Sequence, residues 1–324
     1  MNLKRAIGSG VMGVALGLCG NLQAQSYPDK PIRMLVTAAA GGITDIMTRI
    51  MSENIARTIG QPMIVENRPG AGGSTAVLYA AKSAPDGYTL VIVNVGNAAI
   101  APWVTKELPY DPLKDLVGVA VVAEAPSLVA IPASLPVKNL KEFIEYARAN
   151  PGKLNYGSAG RATMPHLAAE LLSHMTGIKM VHLPYQGAAP AGVDLAAGRI
   201  QLSLLGVGSV RAQLAAGQVR ILAVGVSKRI PALPDVPTFA EAGLPGYVVS
   251  NWFGVLAPAG TPRDILLLLN NHIGQAFENP KALEQLTRAG INPMKESVDQ
   301  FQKRIVADHL KWRDVVREAG IQPE

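Results

Sequence analysis

The chain has 324 residues, a formal net charge of +6, 48% hydrophobic residues and 17% charged residues. This length and hydrophobic content predict a folded protein with a sizeable core and argue against a disordered chain. The basic residues form no cluster interleaved with aromatic residues, so we expect no nucleic-acid partner, whereas a basic balance is compatible with anionic ligands.

The first 24 residues have the features of a secretory signal peptide. Two basic residues precede an apolar, glycine-rich run that ends in LQAQ, which places the expected cleavage after Ala24. A membrane span is the alternative, but glycines interrupt the run, and no other stretch approaches the ~20 apolar residues that a span requires. The single cysteine, Cys19, lies in this segment. We therefore expect a periplasmic mature chain without disulfides or cysteine-based metal sites.

From Ile32 onward, short β-type runs alternate with amphipathic helical stretches. IRMLVTA predicts a first strand, and the isoleucines after Asp45 recur at helical spacing as far as Ile59. Further strands are predicted at MIVEN, YTLVIVNV, LNYG, MVHLPY, IQLSLLGV and RILAVGV. Two adjoining apolar runs occur in VGVAVVAEAPSLVAIP. A proline-rich linker follows Arg229, and the chain from Thr261 is mainly helical. This order predicts an α/β protein with parallel sheets.

The sequence contains no complete catalytic or metal-binding motif. The serine of GVGSV, Ser209, lacks the second glycine of a G-x-S-x-G elbow, and Arg211 stands where a dinucleotide fingerprint has its third glycine. The five histidines show no metal-ligand spacing, so we expect neither a metal nor a cofactor. His166 lies near a predicted helix start, where either a structural hydrogen bond or a ligand contact would explain it.

Three glycine-containing loops join the end of a predicted strand to a helix: AAGGITD, VGNAA with Asn97, and YGSAGRATMPH. Open α/β sheets bind ligands at the carboxyl ends of their strands, and helix N-termini there present N–H groups that suit a carboxylate. Glycine allows the backbone to approach a ligand closely. Ordinary glycine turns would explain each loop alone, but three of them in an exported chain without catalytic residues favour binding.

Eight motifs in order resemble the Bug family, the TctC-like periplasmic solute receptors of tripartite tricarboxylate transporters. They are YPDKPIRMLV, GGITD, VENRPGAGGS, PDGYTL, YGSAG, HLPYQGAAPAGVDLAAG, VPTFAEAGLPGY and WFGVLAPAGTP, and they span the mature chain. The resemblance implies a two-domain Venus-flytrap periplasmic binding protein of type II, each domain a mostly parallel sheet flanked by helices. It places domain I at residues 25–124 and 246–324 and domain II at residues 125–245.

The resemblance also implies that main-chain amides and waters of both domains hold a small organic carboxylate. Carried over residue by residue, the first-domain loop is Gly41, Gly42, Thr44 and Asp45, and the second-domain loop is Ser158, Ala159 and Gly160, with Thr163 behind it and Asp194 nearby. We count Ala40 and Asn97 as further candidates for the binding site. Asp45 is acidic, so we expect it to orient its loop rather than touch an anion.

Two loops depart from the usual family pattern. Thr37, Ala38 and Ala40 replace bulky or rigid residues of the first loop, and Ala162 stands where the second loop usually has a glycine. Arg161, which precedes it, could form a bidentate contact with a distal carboxylate or remain solvated.

We expect a monomeric, cofactor-free receptor that delivers its ligand to the membrane subunits of a tripartite tricarboxylate transporter. A receptor that presents the bound carboxylate to a membrane sensor is the first alternative. An enzyme that uses His166 with Asp194 is the alternative from another class, but no nucleophile and base are apparent. The sequence does not specify the carboxylate.

Overall fold

The computed structural model describes residues 27–41, 43–185, 187–288 and 291–323. The predicted signal peptide with Cys19, and Gly42 of the first glycine loop, lie outside these residues. Among the residues described, no helix is both long and apolar enough to cross a membrane.

The first sheet has six strands. With strands numbered in chain order, they are β1 (Ile32–Val36), β2 (Met63–Asn67), β3 (Thr89–Asn94), β4 (Leu116–Pro126), β10 (Ser250–Pro258) and β11 (Asn292–Pro293). Their spatial order is β11-β4-β10-β3-β1-β2. Strand β1 pairs in parallel with β2 and β3, and the remaining neighbours are antiparallel.

The second sheet has five strands. They are β5 (Leu128–Pro132), β6 (Leu154–Ser158), β7 (Met180–Pro184), β8 (Leu202–Leu205) and β9 (Val219–Val224), in the order β7-β6-β8-β5-β9. Strand β6 pairs in parallel with β7 and β8, whereas β5 is antiparallel to β8 and β9. The α/β prediction is confirmed, but both sheets are mixed because β10 and β11 in the first sheet and β5 in the second run against the parallel set.

Helices flank both sheets. They are α1 (Ile43–Ile59), α2 (Ser74–Ala81), α3 (Ala101–Val104), α4 (Leu140–Ala149), α5 (Met164–Thr176), α6 (Ala188–Ala196), α7 (Val207–Ala215), α8 (Arg263–Ala276), α9 (Pro280–Arg288) and α10 (Val298–Glu318). A 3₁₀ turn at Ala71–Gly73 precedes α2, and a π-helical segment at Gly96–Ile100 precedes α3. Helix α10 packs on β4 and on α5, so it contacts both halves of the molecule.

Two crossovers connect the sheets at one place. Ser127 is the single residue between β4 and β5, and Gly225 follows β9 on the return path. The Gly225 N–H donates to the Ser127 carbonyl at 2.8 Å, and the Val249 N–H donates to the Gly225 carbonyl at 2.8 Å. A Cβ on Gly225 would lie 2.3 Å from the Val249 carbonyl oxygen, so only glycine permits this close approach.

Candidate functional site

The parallel strands bring six helix starts to the carboxyl ends of the two sheets. In the first sheet, β1, β2 and β3 lead into α1, α2 and the π-helical segment. In the second sheet, β6, β7 and β8 lead into α5, α6 and α7. Because helix N-termini carry N–H groups without intrahelical partners and a positive dipole end, these edges are suited to an anion.

Four of these helices start without a side-chain cap. Their N-cap residues are Gly73, Thr163, Gly187 and Gly206. Elsewhere, α4 and α10 are capped by the side chains of Asn139 and Ser297, whereas α8 also starts without a side-chain cap. The Thr163 hydroxyl donates to the Gly160 carbonyl at 2.7 Å, away from its own helix. The uncapped starts therefore present backbone donors at the edges where open α/β sheets bind ligands.

A cleft of about 300 Å³ opens between residues of the two halves. From the first half it is lined by Ala71, Gly72, Ser74, Asn94, Gly96, Asn97, Ile100, Ala101, Val104 and Thr105. From the second half it is lined by Ala162, Thr163 and Met164. The lining side chains are uncharged, so backbone N–H groups, helix dipoles, amides and hydroxyls would have to balance the charge of an anion there.

Both walls of the cleft contain a residue with a left-handed backbone. Ala71 has φ 45° and Ala162 has φ 56°, and among the described residues they are the non-glycine residues with positive φ. This conformation places Cβ close to the backbone and costs an L-residue roughly 1–2 kcal/mol. Backbone strain of this kind is concentrated at ligand-binding sites.

Asn97 fixes the first wall. The Asn97 Nδ2 donates to the Gly72 carbonyl at 2.7 Å, and the Asn97 carbonyl accepts from the Tyr110 hydroxyl at 3.0 Å. Gly73 has φ 97°, and a Cβ there would lie 2.8 Å from Thr37 Cβ and 2.9 Å from Asn97 Nδ2. The loop before α2 is therefore held between the first and third loops of this half.

The loop that contains Gly41 is bound to the buried carboxylate of Asp45. This carboxylate accepts hydrogen bonds from the Gly41 N–H at 2.9 Å, from Asn67 Nδ2 at 2.9 Å and from Arg49 Nε at 3.1 Å. Burial alone would raise the pKa of Asp45, but the bonds from Arg49, Gly41 and Asn67 hold it below its usual value. Asp45 orients the loop, and the Gly41 N–H already has an acceptor in Asp45.

The second-half loop folds around the Ser158 side chain, which is fully buried. The Ser158 hydroxyl donates to the Gly160 carbonyl at 2.8 Å and accepts from the Gly160 N–H at 3.2 Å. It also lies 2.7 Å from His182 Nε2. Ser158 therefore shapes the loop from beneath, and its hydroxyl does not line the cleft.

Asp194 holds Tyr185, which follows β7. Its carboxylate accepts from the Tyr185 hydroxyl at 2.8 Å and from Arg199 Nη1 at 2.7 Å. These two hydrogen bonds hold the pKa of Asp194 below its usual value. The Tyr185 N–H donates to the Ser158 carbonyl at 3.0 Å, so Asp194 reaches the loop through an intermediate residue.

His166 makes a structural hydrogen bond. Its Nδ1 accepts from the Ala162 N–H at 2.9 Å, and its side chain is only 6% exposed. The Asp194 carboxylate hydrogen-bonds to Tyr185 and Arg199 and not to His166. His166 and Asp194 therefore do not form an acid–base pair. No group of three or more potential metal-ligating side chains occurs within the described part of the chain.

The predicted residues differ in position. Asn97 and Thr163 line the cleft, whereas Asp45, Ser158 and Asp194 hydrogen-bond to the loops or to Tyr185 behind them. Thr44 is buried at the start of α1, and Gly160 accepts two hydroxyl hydrogen bonds. Ala40 and Gly41 are exposed. The loop before α2 was missed as a site, although RPGAGGS carries three closely spaced glycines after a strand, the same signal used for the other loops.

The family of the chain is shown by sequence comparison. The model of the tripartite tricarboxylate transporter family receptor, TctC, matches residues 47–321. Protein BugT of Bordetella pertussis is 34% identical over 99% of both chains.

Two solved structures show the same fold with a carboxylate. R. palustris Rpa4515 with adipate is 36% identical, with a TM-score of 0.74 over 92% of this chain and 100% of that one. MatC from Rhodopseudomonas palustris with bound malate is 32% identical, with a TM-score of 0.70 over 90% of this chain and 100% of the other. The two-domain periplasmic binding fold is thereby confirmed.

Proposed function

Because the chain belongs to the tripartite tricarboxylate transporter receptor family, we propose that it captures a small organic carboxylate between its two domains and delivers it to the membrane subunits of such a transporter. The family is one of periplasmic receptors and not of enzymes. Export would depend on the predicted signal peptide, and the receptor would act as a monomer without a cofactor.

The observation that carries this proposal is the cleft between the two halves. It combines uncapped helix starts from both sheets with strained alanines on both walls and contains no charged side chain. Such neutral, directional donors can hold a small anion such as a carboxylate, which would supply the only full charge in the cleft. The adipate and malate in the two relatives are carboxylates of this kind.

Domain closure is the proposed mechanism. We assign domain I to residues 25–124 and 246–324 and domain II to residues 125–245, a division supported by the strand membership of the two sheets. The short crossover at Ser127 and Gly225 is where a hinge would act. A ligand that contacts both walls stabilises the closed form by its difference in affinity for the two forms.

A thermal-shift screen of the mature protein tests the ligand class. We expect a carboxylate from a panel of mono- and dicarboxylates, amino acids and aromatic acids to raise the melting midpoint in a dose-dependent way. A sugar or a metal cation that raises the midpoint while no carboxylate does so would overturn the proposal.

Arg161 offers a test of ligand length. It is exposed and directly precedes Ala162 on the cleft wall. If it binds the distal group of a dicarboxylate, Arg161→Gln will weaken binding of adipate and leave a monocarboxylate of the same chain length unaffected. Equal losses of affinity for both ligands would show that Arg161 does not bind the distal carboxylate.

Delivery is tested in cells. Deletion of the gene should abolish uptake of the identified carboxylate while leaving transcription of ligand-induced genes intact. Loss of induction with normal uptake would instead support a receptor that presents the carboxylate to a membrane sensor.

A further inference from the structure

Two histidines from different elements stack beneath the second-half loop. The rings of His166 on α5 and His182 on β7 have centroids 3.9 Å apart and planes inclined by 9°. Tyr156 on β6 continues the stack, with its ring centroid 4.9 Å from that of His182. This arrangement lies outside the cleft lining, and the proposed function gives it no role.

Each imidazole holds a different part of the loop. His166 Nδ1 accepts from the N–H of Ala162, the residue with φ 56° on the cleft wall. His182 Nε2 lies 2.7 Å from Ser158 Oγ, which also bonds to both the N–H and the carbonyl of Gly160. The pair thus contacts the loop at both ends of the turn that leads into α5.

The hydrogen bonds define the protonation state of His166 and place a proton on Nε2 of His182. An Nδ1 that accepts from a backbone N–H carries no proton, so the His166 ring is neutral, with its proton on Nε2. The Ser158 hydroxyl has one proton, and when it donates that proton to the Gly160 carbonyl, His182 Nε2 must be the donor to Ser158. His166 can therefore satisfy the loop only as a neutral imidazole, whereas His182 can donate from Nε2 whether or not its Nδ1 is protonated.

The surroundings favour these neutral forms. Burial, the adjacent His182 and the nearby Arg161 lower the pKa of His166 to about 4. Burial and Arg161 lower the pKa of His182 to about 4 as well. The acidic group facing the pair is Glu170, whose Oε1 lies 3.8 Å from His166 Nε2 and also accepts from the hydroxyl of Tyr156.

We propose that His166 and His182 form a neutral imidazole pair that positions the 158–163 loop for ligand binding, with His166 Nδ1 holding Ala162 in its left-handed conformation. The expected effect on ligand binding rests on the proposed function, whereas the way in which the two histidines hold the loop does not depend on it. His166 and His182 are therefore positioning residues, because they act on the ligand site through Ala162 and Gly160.

A matched pair of substitutions separates this role from simple packing. His166→Asn places a side-chain carbonyl near the position of Nδ1, whereas His166→Gln places it near Nε2. Both variants lose the stacked ring, so both should lose comparable stability. Only His166→Gln should speed exchange of the Ala162 amide hydrogen, by about tenfold, the change expected from losing one hydrogen bond. Equal exchange at Ala162 in the two variants would overturn the role of Nδ1.

His182→Phe tests the other half of the pair. Phenylalanine keeps a flat ring against His166 but lacks the contact with Ser158. We expect faster exchange of the Gly160 amide hydrogen, with little change at Ala162. Unchanged exchange at Gly160 would show that His182 does not help to position the loop.

The experiment combines two readouts on the full mature chain. Nuclear magnetic resonance of the free protein reports amide exchange and the ¹⁵N shift of His166 Nδ1, which should be that of an unprotonated nitrogen at pH 7. A protonated Nδ1 would refute the proposal. Titrations with adipate and malate then compare the Asn and Gln variants, and His166→Gln should bind about tenfold more weakly than His166→Asn. Equal affinities would refute the link to binding.

The two proposals fail in distinguishable ways. If neither adipate nor malate binds the unmodified protein, that result counts against these ligands, while the exchange data still decide how the loop is held.

Discussion

Ala71 and Ala162 lie on opposite walls of one cleft and share a left-handed backbone conformation, with φ values of 45° and 56°. The two residues belong to loops that follow β2 of the first sheet and β6 of the second sheet. Each loop leads into a helix that starts without a side-chain cap. Strain on both walls therefore coincides with the backbone donors that a carboxylate requires.

Substitution of Ala162 should reveal the backbone strain at this position through its effect on stability. In Ala162→Gly, relief of roughly 1–2 kcal/mol of strain opposes a loss of about 0.4–1 kcal/mol from the greater freedom of the unfolded chain. We expect the free energy of unfolding to rise by no more than about 1.6 kcal/mol. Ala162→Val should lower it, because a β-branched residue rarely adopts positive φ. Urea unfolding measures both variants, and equal stabilities would contradict the assignment of strain.

Asn97→Ala should loosen the first wall. Loss of the bond from Nδ2 to the Gly72 carbonyl removes a net contribution of about 0.5–1.5 kcal/mol and frees the loop before α2. We expect weaker carboxylate binding in a calorimetric titration. Asn150→Ala is the matched control, because Asn150 Nδ2 donates to the Tyr146 carbonyl at the end of α4, away from the cleft. Equal weakening by both variants would contradict a specific role for Asn97.

The contribution of Asp45 should depend on pH. Its pKa is depressed in the folded protein, so the unfolded chain binds a proton first as the pH falls. The stabilisation is therefore complete well above the ordinary aspartate pKa of about 3.9 and is lost as the pH falls through the folded value. Asp45→Asn should be less stable than the unmodified protein at pH 7, and the difference should shrink toward pH 3. A difference independent of pH would contradict the charge-dependent account.

Gly225→Ala tests the crossover. The added Cβ would lie 2.3 Å from the Val249 carbonyl oxygen, so the backbone must shift, at a cost of about 1–3 kcal/mol. Gly208→Ala is the control, because an added Cβ there meets nothing within 4 Å. Urea unfolding should show a loss for Gly225→Ala alone. Unchanged stability would mean that the crossover strands can separate without penalty.

Much of the fold was predictable because hydrophobic periodicity and turn residues are local signals. The adjoining apolar runs around Ser127 became β4 and β5. The direction of the strands was not predictable, because it depends on which strands pass between the sheets. The prediction of mostly parallel sheets therefore overlooked β10, which lies antiparallel between β3 and β4.

The site was predictable in its loops but not in its side-chain directions. Glycine and helix-start patterns located the loops of Asn97 and Thr163, both of which line the cleft. The inward direction of Ser158 and the pairing of Asp194 with Tyr185 depend on contacts between elements distant in sequence. The same reason explains the stack of His166 and His182, since neither residue lies near the other along the chain.

A crystal structure with the carboxylate that gives the largest thermal shift tests the central claim most directly. The account predicts that the bound carboxylate accepts hydrogen bonds from backbone N–H groups of residues 71–72 and of residues 163–164, because the N–H groups of Gly73, Ser74 and Ala162 already have acceptors. A carboxylate bound to one domain alone, or seated in the separate surface cavity beside Trp103 and His309, would contradict it.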